Sequence, residues 1–272
     1  MALFQSEFFS CVLKRSVEVT VFLPEVDSGM VFFRNLDVEK AHPRRSYRTI
    51  YLLHGMMDSR SSWLCHTNVT DYAQKHRYAL VLPSGENSWY SNTTDYGPRY
   101  FDFINYELPT WAESAFPLCP GRQNRTIAGL SMGGYGAAKG ALSAPEQYAL
   151  CGIFSGVTDI VGMSRDNAAE HEANPNAPTD MVRFAFGRGI ESGDDADLFA
   201  LAQKLSVTRG AKPDFFIGCG TEDTLYAPLC RFRSSLQKNG FSVAAYDIPG
   251  RHEWAVWDQL IQRFMEYWSQ NS

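Results

Sequence analysis

The sequence predicts an α/β fold, a mostly parallel, doubly wound sheet with helices on both faces. Three observations carry that prediction. Apolar runs at 50–53, 79–82, 127–130, 150–154 and 215–217 are continuous rather than alternating, as strands covered on both faces require. Helix-forming stretches at 62–75, 131–142 and 227–238 fall between them. The stretch 253–269 repeats Trp257, Leu260, Ile261, Phe264 and Trp268 at helical spacing, so one face of a last helix must dock on the sheet.

The elements follow in chain order. Residues 1–16 carry Phe8-Phe9 and Cys11-Val12-Leu13 but no basic start, long apolar core or small-residue cleavage site, so neither a secretory leader nor a membrane span is expected. At 16–24, Val17, Val19 and Val21 alternate with Glu18 and Thr20, the pattern of a half-exposed strand near a sheet edge. Strands at 213–219 and 241–248 precede the last helix. The stretch 158–205 breaks the rhythm: it is polar, contains Asn174-Pro175-Asn176-Ala177-Pro178, and shows short helical pieces near 181–186 and 197–205. A segment that long between core strands is expected to be an insertion over the site, with a functionless surface excursion as the alternative. With no internal repeat, the expectation is one domain over 1–272.

Composition excludes some partners. A net charge of -5, with Arg44, Arg45 and Arg48 as the nearest thing to a basic cluster, offers no footprint for nucleic acid. Six cysteines, at 11, 65, 119, 151, 219 and 230, lack CxxC spacing and read as reduced, buried small hydrophobes, which places the chain in the cytoplasm.

The chemistry is announced by Gly129-Leu130-Ser131-Met132-Gly133. An apolar strand precedes it, and a small-residue helix start, Met132-Gly133-Gly134-Tyr135-Gly136, follows. That context turns G-x-S-x-G into the nucleophile elbow of the α/β-hydrolase fold, where glycines let the chain turn sharply enough to present the serine. A serine hydroxyl needs a histidine to take its proton and a carboxylate to hold that histidine's tautomer. In this fold the order is serine, acid, histidine. Of the two histidines after Ser131, His171 lies in the polar insertion, whereas His252 follows a strand, at the edge where open sheets bind ligands. His252 is therefore the expected base. Asp223, on the loop after the preceding strand, is the expected acid, with Glu222 as its rival. The backbone N–H groups of Met132 and of Met56, after Leu53-His54-Gly55, are expected to form the oxyanion hole, with His54 as scaffold. Trp89, Tyr90 and Tyr100, with Tyr96 and Phe101 nearby, are expected to shape the substrate pocket, ordinary packing being the alternative.

Four motifs in order, Leu52-Leu53-His54-Gly55-Met56, GLSMGGYGA from Gly129, GTEDTLY from Gly220 and GRHEWAVWD from Gly250, resemble the esterase D group. That group contains S-formylglutathione hydrolases, feruloyl and acetyl-xylan esterases, and tributyrin esterases. The resemblance is strongest to the tributyrin-esterase branch and implies a serine carboxylesterase acting on short-chain acyl esters through an acyl-enzyme, without cofactor or metal. S-formylglutathione hydrolases usually carry histidine where Leu130 and Tyr135 stand, which weakens that alternative. Mycolyltransferases share the scaffold but are secreted.

Rival readings are weaker. His171-Glu172 begins an HExxH string, but Pro175 occupies the second ligand position. Gly134-Tyr135-Gly136 could open a dinucleotide loop, yet Lys139 takes the third glycine's place. A binding module on a hydrolase scaffold is the non-enzymatic alternative. The expected partner is a small-molecule acyl ester, with no nucleic acid and no membrane; assembly into a homo-oligomer stays open.

Overall fold

In the computed structural model, residues 1–25, 46–92, 97–174, 180–187 and 189–271 are described; Arg44, Arg45, Tyr96 and the 175–178 part of the Asn-Pro run lie outside them. Hairpin strands β1 (Ala2–Ser10) and β2 (Arg15–Leu23) come first, then β3 (Thr49–Leu53), α1 (Ser62–His66), α2 (Val69–His76) and β4 (Ala79–Pro83). A short turn of helix, Tyr100–Asp102, runs through a π-helical segment, Phe103–Glu107, into α3 (Leu108–Ala115). The central unit is β5 (Arg125–Leu130), α4 (Met132–Ser143) and β6 (Leu150–Phe154). Then come α5 (Ile160–Ala173), α6 (Met181–Phe186), α7 (Leu198–Ser206), β7 (Asp214–Gly220), α8 (Tyr226–Lys238), β8 (Val243–Ile248) and α9 (Trp254–Gln270).

The eight strands form one sheet in the order β1-β2-β4-β3-β5-β6-β7-β8. β1 and β2 pair antiparallel with their neighbours, and every pairing from β4 to β8 is parallel. Because the central strands are parallel, the residues that follow β3, β4, β5, β6, β7 and β8 all emerge at one edge. Alternate side chains divide the core. Tyr51, Leu53, Val81 and Ile127 face the layer containing Leu108, Tyr135, Leu198 and Leu229, while Ile50, Leu52, Leu80 and Ala128 face Trp63, Val69, Leu260 and Phe264. That two-sided burial is why the runs contain no polar alternation.

The 16–24 strand lies near the sheet edge as expected, one place in from it, because β1 pairs along it from Ala2↔Leu23 to Ser10↔Arg15; its Val17, Val19 and Val21 are buried. The connecting turn is held by Glu107, whose carboxylate accepts from Ser10 and from the backbone N–H groups of Cys11 and Val12. The sequence reading needs three corrections. The 62–75 helix is two helices, α1 ending at His66 and α2 starting at Val69. The polar stretch after β6 contains a fourteen-residue helix, α5, which buries only Ile160 and Ser164 and so shows no apolar periodicity. It starts where Asp159 accepts a hydrogen bond from the Gly162 N–H, a side-chain N-cap. Of the cysteines, Cys151 and Cys219 are buried as expected, but Cys11 and Cys65 are exposed. Among the described residues, no helix is long and apolar enough to cross a membrane.

α9 carries the packing of one face. Phe264 is fully buried, with ring centroids 5.7 Å from Phe154 and 5.5 Å from Phe216, both edge-on. Phe264→Ala is expected to lower unfolding free energy by about 3–5 kcal/mol, measured by denaturant titration. A loss below about 1 kcal/mol would show that the site collapses around the missing ring.

Candidate active site

Ser131 stands between β5 and α4 with φ 53° and ψ −118°, a conformation strained for any side-chain-bearing residue. Its backbone is gripped from the neighbouring strand: its N–H donates to the Phe154 carbonyl at 3.0 Å, and its carbonyl accepts from Val157 at 3.2 Å. The flanking glycines are required by close approach. A Cβ on Gly129 would fall 2.5 Å from the Gly133 backbone, and one on Gly133 would fall 2.6 Å from the carbonyls of Leu53 and His54. The glycines thus let α4 start directly against β3 and β5.

His252 and Asp223 arrive from β8 and β7. Their two loops are tied together, Thr221 N–H donating to Ile248 O and Glu222 N–H to Gly250 O, each at 2.9 Å. His252 Nε2 lies 3.0 Å from Ser131 Oγ, and its Nδ1 lies 2.8 Å from Asp223 Oδ2. The imidazole rests edge-on against Trp257, with centroids 4.9 Å apart. The Asp223 side chain is fully buried, and its other oxygen accepts from the Leu225 N–H at 2.9 Å. Burial, the largest single influence, pushes its carboxyl upward, but the hydrogen bonds from His252, Leu225 and Ser155 outweigh it and hold Asp223 below the ordinary carboxylate range. A carboxylate that stays ionised fixes the proton on Nδ1, so that Nε2 faces Ser131 as an acceptor. The rival Glu222 points to solvent beside Arg251 at 3.6 Å.

The loop after β3 borders the same serine. A Cβ on Gly55 would lie 3.7 Å from Ser131 Cβ, which puts Met56 next to the site. Met132, as the first residue of α4, has an N–H that the helix itself cannot satisfy. The following Met57 N–H donates to Asn87 Oδ1 at 2.8 Å, so the β4 loop steadies this turn. The bracing contact from Asn87 was not anticipated. Side chains that brace a site through loops distant in sequence leave no motif.

His54 is scaffold. Its Nε2 accepts from the Gly85 N–H at 2.8 Å, so Nδ1, 2.7 Å from the Gly55 carbonyl, carries the proton. Burial lowers its pKa, and the hydrogen bond to Gly55 only partly counteracts this.

The pocket assignment is corrected. Trp89, Tyr90 and Tyr100 are each only 1% exposed, so they back the site rather than line it. Trp89 donates its indole N–H to Met181 O at 3.2 Å and packs edge-on to Tyr135; Tyr90 donates its hydroxyl to His54 O at 2.9 Å; the Tyr100 hydroxyl accepts from Arg15. Buried rings of this size contribute more as core than as rim. The segment between β6 and β7 is anchored by the same wall, since the Tyr135 hydroxyl donates to Ala196 O at 3.0 Å. Among the described residues, no three His, Cys, Asp or Glu side chains converge to hold a metal ion.

An α/β-hydrolase sheet presenting a serine, a histidine and a buried aspartate in one hydrogen-bonded line defines a serine hydrolase. The Esterase family model matches residues 10–266, and the chain belongs to that family of carboxylic-ester hydrolases. An acetyl esterase of Caldicellulosiruptor saccharolyticus is 29% identical over the full length of both chains. The fluorophosphonate-binding serine hydrolase FphF of Staphylococcus aureus superposes with a TM-score of 0.82 at 28% identity, covering 98% of each chain. The S-formylglutathione hydrolase FrmB of the same organism gives a TM-score of 0.79, also at 28% identity and 98% of each chain.

Two outcomes test this geometry. Asp223→Asn is expected to lower turnover by up to about ten-thousandfold because an amide no longer selects the tautomer, while Glu222→Gln leaves turnover near wild type. Steady-state kinetics on p-nitrophenyl acetate decide it, and a reversed pattern would move the acid to Glu222. Because the folded-state pKa of His54 is depressed, its contribution to stability is retained above the unfolded value of about 6.5 and lost as pH falls below it. His54→Gln should therefore unfold more readily at pH 7.5 but show a shallower loss of thermal stability toward pH 5.5. An unchanged slope would contradict this.

Proposed function

We propose that Ser131 is the nucleophile, His252 the general base and Asp223 the acid of an esterase that cleaves short-chain acyl esters through an acyl-enzyme. The observation that carries this reading is the unbroken relay from Asp223 through His252 to Ser131 Oγ. His252 Nε2 takes the hydroxyl proton as Oγ attacks the acyl carbon, and the N–H groups of Met56 and Met132 receive the oxyanion, aided by the positive end of α4. The proton then passes from His252 to the departing alcohol. Water, deprotonated by the same histidine, attacks the acyl-enzyme and releases the acid. No cofactor takes part in these steps.

The chain forms one domain in this reading, and the 158–205 insertion covers the site and limits the acyl chain. The anchoring of Met181 and Ala196 to Trp89 and Tyr135 favours that placement. A cytoplasmic location fits the free cysteines, and a lack of nucleic-acid partners fits the net charge of -5. Assembly into homo-oligomers is compatible with it.

The test is a p-nitrophenyl ester series run beside S-formylglutathione and a feruloyl ester. Specificity is expected to peak from acetyl to butyryl, each methylene adding up to about 0.8 kcal/mol while it fits, and to fall sharply by octanoyl. A far higher rate constant for S-formylglutathione or the feruloyl ester would reject the short-chain reading but not the chemistry. Ser131→Ala and His252→Ala should each remove several orders of magnitude of turnover, with little further loss in the double variant. Losses that multiply would contradict a single catalytic unit.

A further inference from the structure

The loop after β3 is clasped by the loop after β4. Gly85 N–H donates to His54 Nε2 at 2.8 Å, the Tyr90 hydroxyl donates to His54 O at 2.9 Å, and Met57 N–H donates to Asn87 Oδ1 at 2.8 Å. His54 and Met57 flank Gly55 and Met56, so the clasp closes on both sides of Met56. Gly55 stands beside the nucleophile: a Cβ there would lie 3.7 Å from Ser131 Cβ.

A trans peptide is planar, and its C=O and N–H point in opposite directions. The Gly55 carbonyl and the Met56 N–H share one such plane, and the protonated Nδ1 of His54, 2.7 Å from Gly55 O, holds its carbonyl end. The next plane runs from the Met56 carbonyl to the Met57 N–H, and Asn87 holds its N–H end. Met57 has φ 64° and an exposed side chain, so packing does not keep it in a region that non-glycine residues avoid. The hydrogen bond to Asn87 restrains it instead. With both planes held, Met56 loses its rotational freedom on either side of its Cα.

Asn87 is itself presented on a constrained turn. Before it, Glu86 has φ 49° and its carboxylate accepts from Arg15. After it, the buried Ser88 hydroxyl donates to Gly85 O at 2.6 Å and accepts from the Tyr90 N–H at 3.1 Å. Trp89 and Tyr90 follow at φ 52° and 51°, both buried. Contacts along this segment maintain a turn with three left-handed non-glycine residues, so the Asn87 amide reaches Met57 from a fixed base.

We propose that Asn87 is a positioning residue for the oxyanion hole: by accepting the Met57 N–H it fixes the peptide after Met56 and so aims the Met56 N–H at the developing charge. This rests on the reading of Ser131 as nucleophile and of the Met56 N–H as an oxyanion donor.

The experiment compares Asn87→Ala and Asn87→Asp with wild type and Ser131→Ala on p-nitrophenyl acetate and on its thionoester, in which sulfur replaces the carbonyl oxygen. Sulfur accepts hydrogen bonds weakly, so the hole favours the oxygen ester, and the ratio of the two kcat/KM values reports its alignment. Removing an oxyanion donor outright costs about a hundredfold or more, and misaiming one costs less. Asn87→Ala is expected to lose about tenfold on the oxygen ester, in kcat rather than KM, with the thionoester nearly unchanged, so that the ratio falls about tenfold. Aspartate keeps an acceptor for the Met57 N–H, so Asn87→Asp is expected to retain the wild-type ratio even where its added charge slows both substrates. A wild-type ratio in Asn87→Ala, including an equal loss on both esters, overturns the proposal, as does a ratio that falls as far in Asn87→Asp. A wild type without preference for the oxygen ester would overturn the oxyanion-hole reading and this proposal with it. Hydrolysis surviving in Ser131→Ala would instead overturn the nucleophile on which both stand.

Discussion

Everything at this site depends on a strained backbone at Ser131 that only tertiary contacts can maintain. A residue at φ 53° does not hold itself there, and the 129–136 segment alone has no means of doing so. The strain is supported by the strand beside it, through Phe154 and Val157, and by a helix start that fits only because Gly129 and Gly133 lack side chains. The stability of the sheet thus maintains the geometry of the serine. Apolar burial on both faces supplies that stability; on one of them Phe154 packs edge-on with both Trp63 and Phe264.

Electrostatics place the second constraint. A buried carboxylate is unfavourable unless donors surround it, and Asp223 has them from its own loop and from His252. Glu222, one residue earlier, lies in solvent with Arg251, where a charge interacts weakly. The difference between neighbouring acids is therefore one of environment rather than chemistry. The environment is created by the crossing of the β7 and β8 loops, which turns one side chain inward and the other out.

Much of this was legible in the chain. Continuous apolar runs marked β3 to β7 because strands covered on both faces have no polar alternation, and the face of α9 was written in Trp257, Leu260, Ile261, Phe264 and Trp268. Local patterns report local structure well. They failed where burial is not periodic. α5 buries two residues and looks like a polar linker, and β1 exposes Leu3, Phe4 and Phe9, so neither shows the expected code.

The sequence by itself determined strands β2 to β8 and the last helix, the small residues that permit the elbow, and Ser131, Asp223 and His252 as candidates, because each depends on spacing along one chain. Only the tertiary structure decided which acid meets the histidine, that Trp89, Tyr90 and Tyr100 are wall rather than lining, and that Asn87 braces the loop after β3. Those outcomes follow from which loops cross at the sheet edge and how completely each side chain loses water. Both are properties of contacts between segments remote in sequence, and no local spacing encodes them.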